Sequence, residues 1–244
     1  MALHGGTVPE NHFGITDITE LETLAGETAA RRLAELENAD PLSSFTRTDL
    51  VRVHTYLMQD VYPWAGEIRT TEVGAMGMAM CRAQYVDNEL ERVFRDIARR
   101  TPSTTDRAAA VRTVADHWAE LTMVHPFQDG NSRTQRFFFD QMLRNAGWTV
   151  DWTRINAERA HAARYVGAAT VDPSFLAQAL LPGVRDSTGT DTDTVSEAGT
   201  DTSPADDGLR DGRPAAAIFH DMMTWRRAHP GQPYEFRPAP APGA

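Results

Sequence analysis

An all-α helical bundle interrupted by one short β-hairpin is the fold class this sequence predicts. Three observations carry it. Apolar residues recur every three to four positions through most of residues 17–181, whereas only residues 68–80 mix β-branched residues and glycines at hairpin length. No apolar run approaches the roughly 18 residues of a membrane span. At 244 residues the chain can bury one sizeable core with a small appendage, but not two full enzyme domains.

The elements follow in order. Asp17 or Thr19 is placed to cap a first helix whose stripe runs through Leu21, Leu24, Ala25, Ala29, Leu33 and Leu36. Pro41 interrupts it, and residues 48–58 form a second helix with Leu50, Val51, His54, Leu57 and Met58 turned inward. The string YPWAGE, with its proline, glycine and two aromatics, reads as a fixed turn. In the hairpin, Met76, Met78 and Met80 alternate, which puts an apolar row on one side. That row either fills the core, as methionine does in irregular gaps, or belongs to a flap facing a substrate. Helical spacing resumes over 85–99 and 107–123, where Val111, Val114, Trp118 and Leu121 form the stripe. After the polar loop HPFQDGNSR a helix restarts near Thr134 and is stopped by Gly147. One more helix over 154–166 and a short one ending near Leu181 complete the core.

Beyond that point the composition changes. Between Asp186 and Arg213 lie eight acidic and two basic residues with almost no apolar side chain, the signature of a disordered linker. Residues 215–227 recover helical character through Ile218, Met222, Met223 and Trp225, and the proline-rich end reads as a flexible tail. The expected domains are a 1–15 extension, a 16–182 core domain, a 183–214 linker and a 215–244 helix with its tail.

Composition narrows the chemistry. A formal charge of -10 makes a nucleic-acid scaffold binder a poor fit, and the single cysteine, Cys81, excludes an internal disulfide framework and cysteine-based zinc sites. The first ten residues lack the basic and apolar regions of a signal peptide, so the expectation is a cytoplasmic protein with no membrane partner.

The chemistry-bearing cluster is His125, Asp129, Asn131, Arg133 and Arg136, within twelve residues between two predicted helices. A loop entering a helix N-terminus points successive backbone N–H groups at an anion. Gly130 permits the tight path, and the short side chains of Asn131 and Ser132 leave the amides open, which describes a phosphate nest. Arg133 and Arg136, three residues apart, are read as sharing one face and offering two planar forks to a polyphosphate. Asp129 is a hard oxygen ligand able to hold Mg²⁺ against those phosphates. His125 in its neutral form can take a proton from an attacking hydroxyl. Singly, each residue has an ordinary structural explanation; their joint spacing points to phosphate chemistry.

The string HPFQDGNSRTQR resembles the signature of the Fic domain family, usually HPFxxGNGRxxR with an acidic residue before the first glycine. FGITDITELE, YPWAGEIRT and RNAGW extend the resemblance over roughly residues 11–181, closest to compact bacterial members. It implies a Fic-type helical bundle with a hairpin flap that binds ATP with Mg²⁺ and transfers AMP to a Ser, Thr or Tyr hydroxyl of a target protein. In that scheme His125 is the general base and Asp129 the metal ligand. Gly130, Asn131 and Ser132 form the anion hole, with Asn131 at the α-phosphate. Arg133 holds the β-phosphate, and Arg136 the γ-phosphate or an inhibitory glutamate. The flap residues Gly74, Ala75, Met76, Gly77, Met78, Ala79 and Met80 align the target by strand-like pairing.

The sequence departs from that pattern in two places. Ser132 stands where the second glycine is usual, adding a Cβ and a hydroxyl able to bond phosphate. The inhibitory string of Ser or Thr, three residues, Glu and then Gly or Asn is not found: Thr16 to Glu20 is followed by Leu21, and Thr23 to Glu27 by Thr28. The resemblance therefore implies a toxin-like enzyme restrained in trans by a small antitoxin-like protein. Transfer of another nucleotide or of a phosphoryl group, and a catalytically weak binding module, remain the alternatives.

Overall fold

The bundle is built on helices whose ends are capped by their own sequence. The structure, a computed structural model, describes residues 2–3, 8–186 and 215–230. Helix α1 (Ile18–Glu37) starts on Asp17, whose carboxylate accepts from Glu20 N at 2.9 Å. Helix α2 (Arg47–Met58) starts on a reciprocal capping box between Thr46 and Asp49. Helices α3 (Val86–Arg99) and α4 (Arg107–Val124) follow, α4 being capped by Asp106, and α5 (Asn131–Asn145) opens on Gly130. Helices α6 (Ala157–Thr170) and α7 (Ser174–Leu180) close the core.

The largest core cluster joins α3 to α7 around Trp118, Leu121, Phe127, Phe138 and Phe139. A second packs the α1 stripe, Leu21, Ala25 and Ala29, against Val53, Leu57, Met58 and the YPWAGE turn. These apolar faces supply the stability that helix propensity alone does not.

The hairpin is shorter than the span 68–80 suggests. Strand β2 (Gly74–Ala75) pairs antiparallel with β3 (Met78–Ala79) across a turn in which Met76 and Gly77 both adopt positive φ. Met76, Met78 and Met80 are all buried, against Ala162, Tyr165, Val166 and Ala169 of α6. The row is thus core, and what the flap presents to the central cavity is Ala75.

Two terminal segments do more than the sequence suggests. Within the N-terminal stretch, Ala2–Leu3 form strand β1 on the outer edge of β2, and Val8 and Ile15 pack on the α1–α2 cluster. The ordered core does not end at Leu181. Strand β4 (Trp148–Val150) pairs with β5 (Val184–Asp186), within the stretch that composition reads as linker. Composition missed this because three residues gain strand structure only from a partner 36 positions away, as Thr149 lies opposite Arg185. The rest of the acidic linker and the tail beyond residue 230 lie outside the described residues. Helix α8 (Ala215–Ala228) docks on α6, with Met222 buried and Phe219 stacked on Phe175 at 4.9 Å between centroids.

Candidate active site

The C-terminus of α4 is where the site is assembled, and its carbonyls account for much of the geometry. A helix end leaves four carbonyls without intrahelical partners. Here Leu121 O takes the His125 N–H at 3.1 Å and Gln135 Nε2 at 3.2 Å, and Met123 O takes the Cys81 N–H at 2.9 Å. Arg69, fully buried, donates Nη2 to Val124 O at 3.1 Å and Nε to His125 O at 2.6 Å. Nη1 also donates to Thr71 O and Nη2 to Cys81 O, at the two ends of the flap, while its own N–H bonds Pro126 O at 2.9 Å. One guanidinium therefore ties the flap to the start of the loop.

His125 ends α4 in the left-handed region, φ 48 and ψ 63, a conformation histidine tolerates better than most non-glycine residues. His125 is 4 % exposed, and its Nδ1 lies 3.3 Å from Thr122 O. A carbonyl only accepts, so Nδ1 carries the proton and the Nε2 lone pair is available to accept one. Burial, with the charge of Arg164 next, pushes this imidazole down to about 3, so it is neutral at physiological pH.

The loop is held from below by His54 of α2. Its Nδ1 accepts the Gly66 N–H at 2.8 Å, which leaves Nε2–H to donate to Asp129 O at 3.0 Å; its ring stacks on Phe127 at 3.7 Å. Gly66 has φ +89, and a Cβ there would lie 2.1 Å from Thr55 Oγ1. The Asp129 carboxylate is met by Tyr62 of the YPWAGE turn, whose hydroxyl donates to Oδ2 at 2.6 Å. Burial first and the Asp129 charge second push the phenol up, so Tyr62 remains a donor.

Gly130, φ +75, is the N-cap of α5 and offers no side-chain cap. A Cβ on it would meet Met58 Cγ at 2.9 Å and His54 Nε2 at 3.1 Å. The helix starts at Asn131 rather than near Thr134, so Asn131, Ser132 and Arg133 are its first turn and their N–H groups belong to its electropositive end. Periodicity missed that turn because its side chains are polar.

These residues surround one cavity of about 280 Å³. His125, Asp129, Gly130, Asn131, Ser132 and Arg133 line it together with Tyr62, Ala75 from the flap, Glu22 from α1 and His161 and Tyr165 from α6. Among the described residues Arg133 also has a buried Nη1 with no hydrogen-bond partner, an orphaned donor that suits an anion.

Two expected side chains go elsewhere. Asn131 uses its amide inward, Oδ1 accepting the Phe127 N–H at 3.1 Å and Nδ2 donating to Phe127 O at 2.8 Å, so only its backbone faces the nest. Arg136 does not share the cavity with Arg133. Spacing alone leaves both on neighbouring parts of one face; the partner decides. The Arg136 guanidinium stacks over Trp152 at 4.1 Å instead. His54, Arg69 and Arg164 were not singled out from sequence as site residues. His54 read as one more inward-facing helix position, and nothing in a lone arginine announces which carbonyls it will meet.

No group of three or more potential metal-ligating His, Cys, Asp or Glu side chains occurs among the described residues. Asp129 is the carboxylate of the loop, and a single protein oxygen suits Mg²⁺, which keeps waters and phosphate oxygens as its other ligands. Among the described residues no helix is long and apolar enough to cross a membrane.

Residues 44–143 match the Fic/DOC family. The probable protein adenylyltransferase Fic of Escherichia coli strain K12 is 27% identical over 165 residues, which cover 67% of this chain and 82% of that protein. The probable protein adenylyltransferase y4lH of Sinorhizobium fredii is 32% identical over 109 residues, 44% of this chain and 57% of that one. Among solved structures, the BepC protein of Bartonella tribocorum with bound AMPPNP has a TM-score of 0.66 at 20% identity, covering 75% of this chain and 95% of that chain. That likeness extends to the fold of the bundle.

Proposed function

We propose that this chain, which belongs to the Fic/DOC family, transfers the AMP moiety of ATP to a Ser, Thr or Tyr hydroxyl of a target protein. The observation that carries the reading is a buried, neutral histidine with an available Nε2, sharing one cavity with the uncapped N-terminus of α5 and the orphaned donor of Arg133. The first-turn amides and Arg133 hold the phosphates. The target oxygen attacks the α-phosphorus as its proton passes to His125 Nε2, the bond to the bridging oxygen of the β-phosphate breaks, and pyrophosphate leaves. The fixed amides and the guanidinium stabilise the charge that develops on the transferring group. Asp129, oriented by Tyr62, supplies the protein oxygen for a Mg²⁺ ion, which would neutralise phosphate charge when bound.

The flap, Gly74 to Met80, is assigned to aligning the target backbone, and Ala75 brings it to the cavity. Pairing of a target along β2 requires Ala2–Leu3 to leave that edge. Restraint by a separate small protein belongs to the same reading, because the inhibitory string is not found in the sequence. Purification from the native operon then yields a complex; a lone chain with unrestrained activity contradicts it.

The deciding experiment uses a host proteome with ATP labelled at the α- or the γ-phosphorus. Adenylyl transfer labels target protein from the α-position alone, and His125→Ala abolishes it. Label from the γ-position makes the chain a phosphotransferase. Absence of label from both, with nucleotide binding intact, makes it a binding module.

A further inference from the structure

Arg164 of α6 is 3 % exposed, yet among the described residues no carboxylate lies within ion-pair distance of it. Its Nη2 donates to Ser132 Oγ at 2.7 Å, its guanidinium lies 4.7 Å from the Tyr165 ring, and its Nε is buried with no partner. A buried guanidinium without a counter-charge is costly, so folding alone does not explain it. Ser132 and Tyr165, which it contacts, both line the cavity.

A serine hydroxyl has one proton to donate and two lone pairs to accept with. Arg164 offers only donors, so the contact occupies a lone pair of Ser132 and leaves the hydroxyl proton to point elsewhere. A phosphate oxygen, which only accepts, is the complementary partner at a helix N-terminus. A glycine at residue 132 has no such group.

We propose that Arg164 and Ser132 form an added phosphate-binding element, in which Arg164 orients and polarises the Ser132 hydroxyl and Ser132 donates to a phosphoryl oxygen of the nucleotide. The buried charge of Arg164, with no carboxylate partner among the described residues, finds its counter-charge in that phosphate. The inference rests on the nucleotide reading above and names the residues that make this nest differ from a glycine one. Arg164 is thus a positioning residue, acting through Ser132, and the ligand class is a nucleoside polyphosphate.

The test is calorimetric binding of a non-hydrolysable ATP analogue and of adenosine to the full chain. The proteins compared are the wild type, Ser132→Ala, Arg164→Met, Arg164→Lys and the Ser132→Ala/Arg164→Met double variant, each with a thermal midpoint measured without ligand. Ser132→Ala and Arg164→Met are expected to weaken the analogue about tenfold or more, the effect of losing a hydrogen bond to a charged group. The double variant should lose little more than the worse single one, because the pair acts as a unit. Adenosine affinity should not change. Unliganded Arg164→Met should be at least as stable as the wild type, since an apolar replacement removes an unpaired buried charge, whereas a purely structural arginine would destabilise when removed.

Unchanged analogue affinity in Ser132→Ala and Arg164→Met overturns the proposal and leaves the nucleotide reading standing. So does an equal loss for adenosine. If Arg164→Met fails to fold, the structural role is favoured and the proposal is overturned unless Ser132→Ala and Arg164→Lys, both folded, show the phosphate-selective loss. A wild type that binds neither ligand removes the nucleotide reading and this inference together.

Discussion

Replacing His54 by phenylalanine isolates the hydrogen bonds that hold the loop from the ring that packs beneath it. Phenylalanine keeps an aromatic face against Phe127, but it removes the bonds to the Gly66 N–H and the Asp129 carbonyl. His54 is fully buried, so water cannot replace either bond. Each orphaned group costs about 1–3 kcal/mol, giving a loss of about 2–6 kcal/mol from the roughly 5–15 kcal/mol typical of a whole protein. The larger ring adds its own packing cost of about 1 kcal/mol or more. Urea denaturation at pH 7.5 measures this as a fall in midpoint at constant slope. His54→Gln, which keeps a donor and an acceptor, should recover part of the loss. Nucleotide binding in the folded fraction should weaken as well, because the Asp129 carbonyl no longer has a fixed partner. A loss below about 1 kcal/mol would refute the assignment of His54 as the neutral bridge between Gly66 and the loop.

Three further outcomes follow from the same geometry. Burial holds His54 down to about 4 and His125 down to about 3, against 6.5 for an ordinary histidine. On acidification the unfolded chain therefore takes up these protons first. Their contribution to stability is full above about pH 6.5 and falls by about 1.4 kcal/mol per pH unit per histidine down to about pH 4, a slope that His54→Phe should reduce by one histidine. Chemical denaturation across pH 4–8 reads it, and a curve flat below pH 6.5 contradicts it. Arg69→Met should cost about 3 kcal/mol or more by orphaning carbonyls at His125, Val124, Thr71 and Cys81, and should raise hydrogen exchange selectively at residues 71–81. Unchanged exchange in the flap would show that the backbone bonds alone tether it. Gly130→Ala must hold alanine at φ +75 while pushing Met58 and His54 aside, so a loss of about 2 kcal/mol with weakened nucleotide affinity is expected by denaturation and calorimetry. Wild-type affinity would mean that the loop relaxes without disturbing the nest.

Much of this site was legible because its chemistry is local. Within HPFQDGNSRTQR, the order of a base, an acid, a glycine, short polar residues and an arginine already describes a loop that enters a helix N-terminus, as the structure has it at Asn131. Helical periodicity likewise identifies the segments that bury Leu50, Val114 and Phe138, since a stripe at the helical period reports which face meets the core. What stayed hidden depends on distant partners. Whether Arg133 or Arg136 enters the cavity turns on Trp152, which captures the second guanidinium from outside. The amide of Asn131 looked like a phosphate contact until Phe127 was seen to occupy both of its ends.

The sequence by itself determined the helical class, the turn and hairpin, and the polar loop proposed to meet phosphate, because period and spacing are properties of contiguous residues. Only the tertiary structure decided how that loop is armed. His54 and Tyr62 hold Asp129 from one side, Arg69 welds His125 to the flap, and Arg164 arrives from 32 residues away to meet Ser132. Those contacts arise when helices pack, and a buried polar group finds its partner in space, wherever along the chain that partner lies.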